Sequence, residues 1–434
     1  MKKKVLFYSQ RLVKHELVSG SFYLFIGTIF SAFFAFLLNL FFARSLTKQD
    51  YGIYASLIAL ITLFTIPAQS LTPIIVKFAG DYFAKGEIGK LEKFYFKMTK
   101  LVIFLAVVIF ILFLIFSSVI KNFLNLDNYL YVPLVGLITS ASYVAIVNMG
   151  MLQGVLKFFF ISMTQILGAF FRILVGVALV FMGFRVFGAI WASFFAFLIA
   201  YLIGFIPLRF LFKKSTDVNV VIPTRDLVEY AVPTMIAILS LSSFISMDVI
   251  LVKHFFPPFQ AGLYGGMALV GKVIFYFTGP IPAALFPLLI KRHARNLPFN
   301  RLFYLAMFLV FVLAALISAF YFIFPAFTTR FFLGKGYEGI IPYLGLFGVY
   351  IGIFSLLNVC VNLLLSLKKT FVFIPILIGS VLQIFLISIF HNNFYQIIYV
   401  SIFICGILLI SLLSYFILKS GKISSEDVQI SISS

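Results

Sequence analysis

The chain of 434 residues alternates between long apolar runs and short polar connections, and this pattern sets its structural class. Twelve apolar stretches are each long enough to cross the roughly 30 Å hydrocarbon core of a bilayer as an α-helix. Because backbone groups in lipid must be hydrogen-bonded internally, we predict an all-α integral membrane protein. The predicted spans cover residues 18–43, 51–76, 98–120, 129–151, 158–182, 184–208, 227–251, 260–290, 302–326, 340–366, 370–390 and 395–418.

Composition supports the membrane assignment, and the distribution of charge orients the chain. Hydrophobic residues make up 63% of the sequence and charged residues 11%, against about 25% charged in soluble domains. With the N-terminus in the cytoplasm, 24 lysines and arginines fall inside and 7 outside. Since cytoplasmic loops carry an excess of these residues, we predict that both termini are cytoplasmic, in the cell membrane. The basic loops explain the net charge of +20 without a nucleic-acid partner.

The second half of the chain repeats the first at an offset of 209 to 214 residues. Arg44 aligns with Lys253 and Tyr54 with Tyr264, and further matches include Asn148 with Asn358 and Lys77 with Lys291. Each half holds six spans, so both halves enter the membrane in the same direction, and we predict a substrate site between them. The predicted divisions are an N-terminal lobe 1–208, a cytoplasmic linker 209–226, a C-terminal lobe 227–420 and a disordered tail 421–434.

Three segments carry a resemblance to a known family. They are ARSLTKQDYGIYASL at 43–57, LQGVLKFF at 152–159 and GFRVFGAIWASFFAF at 183–197. They resemble polysaccharide-biosynthesis flippases of the multidrug/oligosaccharidyl-lipid/polysaccharide (MOP) exporter superfamily. The resemblance implies a V-shaped, MATE-like pair of six-helix lobes around a cationic cavity that alternately faces each side of the membrane. It also implies a polyprenyl-diphosphate-linked saccharide as cargo, and polysaccharide polymerase or glycosyltransferase machinery as a partner.

Two cations interrupt otherwise apolar spans, Arg172 in the fifth and Lys272 in the eighth. A charge at the centre of a membrane helix costs about 2.5–3.5 kcal/mol on insertion scales. No acidic residue is expected at the same depth, so we predict that both bind an anionic ligand, with the planar fork of Arg172 suited to a phosphate. The alternatives are an arginine that hydrogen-bonds helix carbonyls or Gln165, and a lysine paired with a carbonyl or reaching an interface. The run GMALVGKV around Lys272 misses the final hydroxyl of a phosphate loop, which excludes nucleotide binding.

The remaining candidates are weaker. Arg44 and Lys77 are helix-end residues that either anchor the helices or recruit an anionic headgroup at the cavity mouth. Asp248 is expected near the outer end of the seventh span, paired with Lys253 or at headgroup level, with proton or sodium coupling as the other interpretation. The amide side chains expected to bind sugar are Asn39, Gln165 and Gln383.

The sequence favours a transporter over an enzyme. The four histidines have no metal-ligand spacing, and no paired buried carboxylates or nucleophile motif are present, so we predict no catalysis and no cofactor. We predict a monomer that flips an anionic lipid-linked saccharide between leaflets while contacting membrane lipids. Two alternatives remain: a multidrug or cation antiporter of the same superfamily, and a membrane-embedded glycosyltransferase or polymerase.

Overall fold

The computed structural model describes residues 2–212, 224–282, 285, 289, 292, 300–367 and 369–430, and it is helical throughout its secondary structure. The first helices are α1 (Lys2–Ser45), α2 (Lys48–Gln69), α3 (Thr72–Ala84), α4 (Ile88–Ile115), α5 (Ser117–Phe123), α6 (Tyr131–Gly154), α7 (Phe158–Leu179) and α8 (Arg185–Phe205). They are followed by α9 (Thr224–Phe255), α10 (Pro258–Thr278), α11 (Asn300–Ile323), α12 (Pro325–Leu333), α13 (Ile341–Ser366), α14 (Phe373–Ile389) and α15 (Phe394–Ile430).

The membrane-crossing helices agree with the sequence pattern. Within the described residues, 11 stretches are long and apolar enough to cross a bilayer. One of them, Phe158–Phe212, contains both α7 and α8, so the fold has twelve crossing helices. The predicted all-α class and number of spans are confirmed.

The chain divides into two compact units. The first contains Met1–Leu46 and Leu60–Ala231, and the second contains Thr47–Ala59 and Val232–Ser434. Helix α2 therefore contributes its first turns to the second unit and its remainder to the first. The sequence-based boundary between lobes did not anticipate this short N-terminal contribution.

Small residues let helices approach closely within each unit, as is common in membrane bundles. In the first unit Gly154 of α6 lies against Ala79 of α3. In the second unit Gly348 of α13 packs on Ser318 of α11, and Gly352 packs on Ala314. Gly348 and Gly352, one turn apart, thus form the contact surface of α13 toward α11.

The segment Thr47–Ala59 is fixed to the second unit by backbone contact. Gly52 meets the backbone of Gly262, and a Cβ added at Gly262 would lie 1.7 Å from the carbonyl oxygen of Lys48. The Lys48 ammonium lies 3.7 Å from the centre of the Tyr337 ring, a distance typical of a cation–π interaction. Glycine at position 262 is thus required by the close approach of two main chains.

The connection between α7 and α8 is a single widened turn. Residues Val180–Phe184 form a π-helical turn, and Gly183 within it has φ of 91°. Arg185 then begins α8 with φ of 47°, a conformation that side-chain-bearing residues rarely adopt. The two helices consequently form a tight hairpin.

Two sequence-based expectations concern the ends of the lobes. Helix α15 continues to Ile430, whereas the sequence analysis expects a disordered tail from residue 421. The helix continues past the apolar residues of the last span. Hydropathy marks only the apolar part, so it does not predict where the helix ends. Most of the expected linker, and the repeat partner Lys291, lie outside the described residues.

Candidate functional site

Arg172 lies in the middle of α7, in the first unit, and its side chain is half-buried. Its Nε atom is buried and has no hydrogen-bond partner among the described residues. A buried donor without an acceptor is costly, because its hydration is lost and not replaced. Helices α6, α7 and α8 contain no Asp or Glu. Arg172 is therefore suited to an anionic ligand, as its sequence position predicts.

A cavity of about 190 Å³ lies within the first unit, among α2, α6, α7 and α8. Gln165, one of its lining residues, is seven residues before Arg172, which places both on one face of α7 about 10.5 Å apart along the helix axis. No charged side chain lines the cavity, but five polar ones do: Thr65, Gln69, Ser142, Thr164 and Gln165. Neutral hydroxyl and amide groups of this kind match a hydroxylated, uncharged ligand such as a sugar ring.

The hydroxyl groups around this cavity are already anchored. Thr65 donates to the carbonyl of Thr62, Ser142 to that of Thr139, and Thr164 to that of Ile161. Their oxygen lone pairs remain available as acceptors. The Gln165 amide oxygen accepts a 3.4 Å hydrogen bond from Thr28, leaving its amide hydrogens as donors toward a ligand.

The second unit contains a buried carboxylate, Asp248 of α9, whose side chain is 1% exposed. Its Oδ2 accepts a 2.9 Å hydrogen bond from the Tyr264 hydroxyl, and its Oδ1 accepts one of 2.8 Å from the backbone of Val249. Lys272 of α10 is near enough to interact electrostatically with Asp248. Asp248, Tyr264 and Lys272 form a charged cluster within one unit.

This cluster corrects the view that Lys272 has no acid at its depth. The predicted span ended at residue 251, which placed Asp248 beside the membrane surface. Helix α9 continues to Phe255, so Asp248 lies two turns inside its end, about 10.5 Å along the axis. At that depth Lys272 interacts electrostatically with Asp248.

Gln383 of α14 extends the buried polar network and is 0% exposed. Its amide nitrogen donates to the hydroxyl of Ser401 at 2.9 Å and to the Phe244 carbonyl at 3.3 Å. The Tyr350 hydroxyl donates to the same carbonyl. The Gln383 amide oxygen has no partner among the described residues, so the network has one unused acceptor.

Three other candidates are far less enclosed. Arg44 and Lys77 are exposed, which agrees with helix-end positions, and the Lys77 ammonium lies 6.0 Å from the centre of the Phe78 ring. Asn39 is half-buried, and its amide nitrogen donates to the Ala35 carbonyl one turn earlier at 2.7 Å.

Sequence reasoning missed three residues of the second unit's network: Tyr264, Tyr350 and Ser401. A signal existed for one of them, because Tyr264 matches Tyr54 across the repeat. Tyr350 and Ser401 carry no such signal. A tyrosine or serine in a membrane helix is equally compatible with lipid, packing or polar surroundings.

The fold matches that of known transporters. An inward-facing multidrug resistance MATE family transporter of the MOP superfamily gives a TM-score of 0.70 at 14% identity, covering 91% of this chain and 95% of that one. Lipid II flippase MurJ, in an inward closed conformation, gives 0.67 at 14% identity, covering 93% and 90%. The twelve crossing helices of the described residues therefore share the fold of these transporters.

Sequence comparison identifies the family. The model of the polysaccharide biosynthesis proteins matches residues 17–293, and the chain belongs to that family. An uncharacterized membrane protein of Methanocaldococcus jannaschii is 28% identical over 291 residues, covering 64% of this chain and 68% of the relative. The predicted family is confirmed.

Proposed function

We propose that the protein flips an anionic polyprenyl-diphosphate-linked oligosaccharide from the inner to the outer leaflet of the cytoplasmic membrane by alternating access. The observation that carries the proposal is the buried, unpartnered Nε of Arg172 on the same helix face as a neutral polar cavity. A cation beside uncharged hydrogen-bonding groups suits a ligand with a phosphate end and a sugar end. Membership of the polysaccharide biosynthesis family supports this choice.

Each candidate residue has a role in the proposal. Arg172 and Lys272 bind the diphosphate, whereas the exposed Arg44 and Lys77 attract the anionic headgroup at the cavity mouth. Gln165 hydrogen-bonds the sugar, with Asn39 as a weaker contributor. Gln383 is fully buried, so we assign it to holding the Asp248 cluster in place.

Membrane potential is able to supply direction. Moving one negative charge outward down an inside-negative potential releases about 2.3 kcal/mol per 100 mV, so a diphosphate with two charges gains roughly 4–5 kcal/mol. The buried carboxylate of Asp248 adds a second source, because it offers a place to bind a proton or a sodium ion. We propose that Asp248 couples such an ion to flipping.

Complementation of surface-polysaccharide export tests the diphosphate role. Arg172→Ala and Lys272→Ala are expected to lose export at normal expression, and Arg172→Lys to keep part of it, because a point charge loses the bidentate geometry. The exposed Arg209 provides a matched control, and Arg209→Ala is expected to export normally. Full export by both Arg172→Ala and Lys272→Ala would exclude the diphosphate site.

Flipping by purified protein in vesicles tests the coupling role separately. We expect a sodium or pH gradient to change the initial rate several-fold with the native chain at fixed potential. Asp248→Asn is expected to flip at a rate that no longer depends on either gradient. A native rate insensitive to both gradients would reject ion coupling and leave the potential-driven mechanism intact.

The multidrug antiporter is the rival that shares the fold. Cationic drugs require an accessible carboxylate, and Asp248 is 1% exposed with a lysine as its electrostatic neighbour. The glycosyltransferase alternative requires catalytic acids at a substrate site, and no charged side chain lines the cavity beside Gln165. Under either alternative, removing the positive charge of Arg172 is not expected to be what abolishes saccharide export.

A further inference from the structure

A second cavity, of about 580 Å³, lies in the first unit beside the turn that joins α7 and α8. It shares no lining residue with the cavity beside Gln165. Its walls are apolar and largely aromatic. They include Leu130, Leu179, Phe184, Phe187, Trp191 and Phe195.

The length of this groove matches the hydrocarbon depth of one leaflet of a bilayer. Its lining along α8 extends from Phe184 to Phe195, which is about 16 Å at the rise of an α-helix. That length is roughly half of the 30 Å hydrocarbon core. Phe181 and Met182 beside it are 77% and 71% exposed, as expected of side chains in lipid. The groove therefore has the length and surroundings of a single lipid hydrocarbon chain.

A cation marks the polar end of the groove. Arg185 is exposed at the start of α8, next to the lining residue Phe184, in the turn between two membrane-crossing helices. Its backbone has φ of 47°, a strained conformation that persists only where the surrounding structure enforces it. A basic residue at this level attracts anionic headgroups.

We propose that this groove binds an anionic membrane phospholipid, with one hydrocarbon chain along α8 and the phosphate at Arg185. Aromatic side chains offer the chain a large apolar surface, and a guanidinium recognises a phosphate through two parallel hydrogen bonds. The length of the groove fits a hydrocarbon chain that spans one leaflet, and the positive charge of Arg185 favours an anionic headgroup. The site is independent of the transported cargo.

Trp191 makes the test direct, because it is the one tryptophan of the chain and lines the groove. The full-length protein is placed in phosphatidylcholine vesicles, and brominated phosphatidylglycerol or brominated phosphatidylcholine is titrated as a quencher of tryptophan fluorescence. We expect the anionic lipid to reach half-maximal quenching at a several-fold lower mole fraction than the neutral one, and to saturate. Arg185→Gln is expected to bring the two curves together, and Arg185→Lys to keep them apart.

A relocated tryptophan distinguishes a site from random contact with lipid. In a Trp191→Phe, Phe308→Trp variant the probe lies on an exposed position of α11, and both lipids are expected to quench it equally. Equal curves for Trp191 in the native protein, or an anionic preference that survives Arg185→Gln, would overturn the proposal. Relief of quenching by a polyprenyl diphosphate at a lower mole fraction than by unlabelled phosphatidylglycerol would assign the groove to cargo and also overturn it.

Discussion

The two units treat a cation inside the membrane in different ways. In the first unit Arg172 lies on a helix, α7, that contains no acid, and its Nε has no acceptor among the described residues. In the second unit Lys272 interacts electrostatically with Asp248, which also accepts a hydrogen bond from Tyr264. The first unit thus leaves a buried donor of its cation open to a ligand, whereas the second unit places an acid near its cation.

The repeat makes this difference informative. At the offset of 211 residues that relates Lys157 to Lys368, Arg172 corresponds to Gln383. Among the described residues neither position has a partner for one buried polar atom, a donor in Arg172 and an acceptor in Gln383. The two halves therefore differ at this aligned position, where the first presents a hydrogen-bond donor and the second an acceptor.

Removing the acid from the second unit should have the largest effect on stability. Asp248→Asn leaves the half-buried Lys272 without the opposite charge near it and alters the groups that accept hydrogen bonds from Tyr264 and Val249, so we expect a loss of up to about 3–5 kcal/mol. Unfolding of the purified protein in detergent measures the loss. Asp127→Asn, which changes an exposed acid, is the matched control and should be nearly neutral.

A double variant shows whether the uncompensated charge of Lys272 causes the stability loss in Asp248→Asn. Asp248→Asn with Lys272→Met should be more stable than Asp248→Asn alone, because the uncompensated cation is gone. Additive losses in this cycle would mean that the two residues do not depend on each other, and the comparison between the units would fail.

The tyrosine that binds the carboxylate should contribute less. Tyr264→Phe removes the 2.9 Å hydrogen bond to Asp248 with little change in volume, and hydrogen bonds to charged groups contribute about 1.5–3 kcal/mol. The same unfolding measurement applies, with Tyr304→Phe on the exposed face of α11 as control. A loss no greater than that of the control would remove Tyr264 from the cluster.

Removing the cation of the first unit should raise stability, whereas removing the acid of the second should lower it. Arg172→Met replaces a donor without an acceptor by an apolar side chain of similar length, so we expect a gain of about 1–2 kcal/mol together with loss of export. Stability and export measured on one preparation separate the two effects. A clear loss of stability would make Arg172 a structural residue, and the contrast with Lys272 would disappear.

The smallest effect is expected at Gln165. It lines the cavity and makes one long hydrogen bond, so Gln165→Ala should change stability by less than about 0.5 kcal/mol. Export of the saccharide should still fall, since a sugar-binding group is lost. The hydrophobic variant Gln165→Leu keeps the volume and should show the same export defect.

Hydropathy predicted the fold well because lipid imposes one requirement on every span. Runs of about 20 apolar residues must be helical, so the number of spans follows from length, even where α7 and α8 are joined by a single turn. The depth of Asp248 did not follow, because the end of α9 is set by packing and not by the last apolar residue. The predicted span ended four residues early, so the interaction of Asp248 with Lys272 was not anticipated.

The polar network was hidden for a different reason. Where nearly every position is apolar, a helix has no strong amphipathic pattern to show which face meets lipid and which meets another helix. Tyr350 and Ser401 therefore look like ordinary membrane residues in the sequence. Their hydrogen bonds depend on which helices become neighbours, and α13, α14 and α15 meet only in the folded unit.

The tight turn between α7 and α8 has a consequence for biogenesis. Two apolar helices joined by five residues are able to leave the translocation channel together as a hairpin, with backbone groups already satisfied. In the proposed orientation Arg185 is the one charge that must be carried across the hydrocarbon with this hairpin. Lengthening the turn with further basic residues should therefore slow insertion of the pair, before any effect on the finished protein.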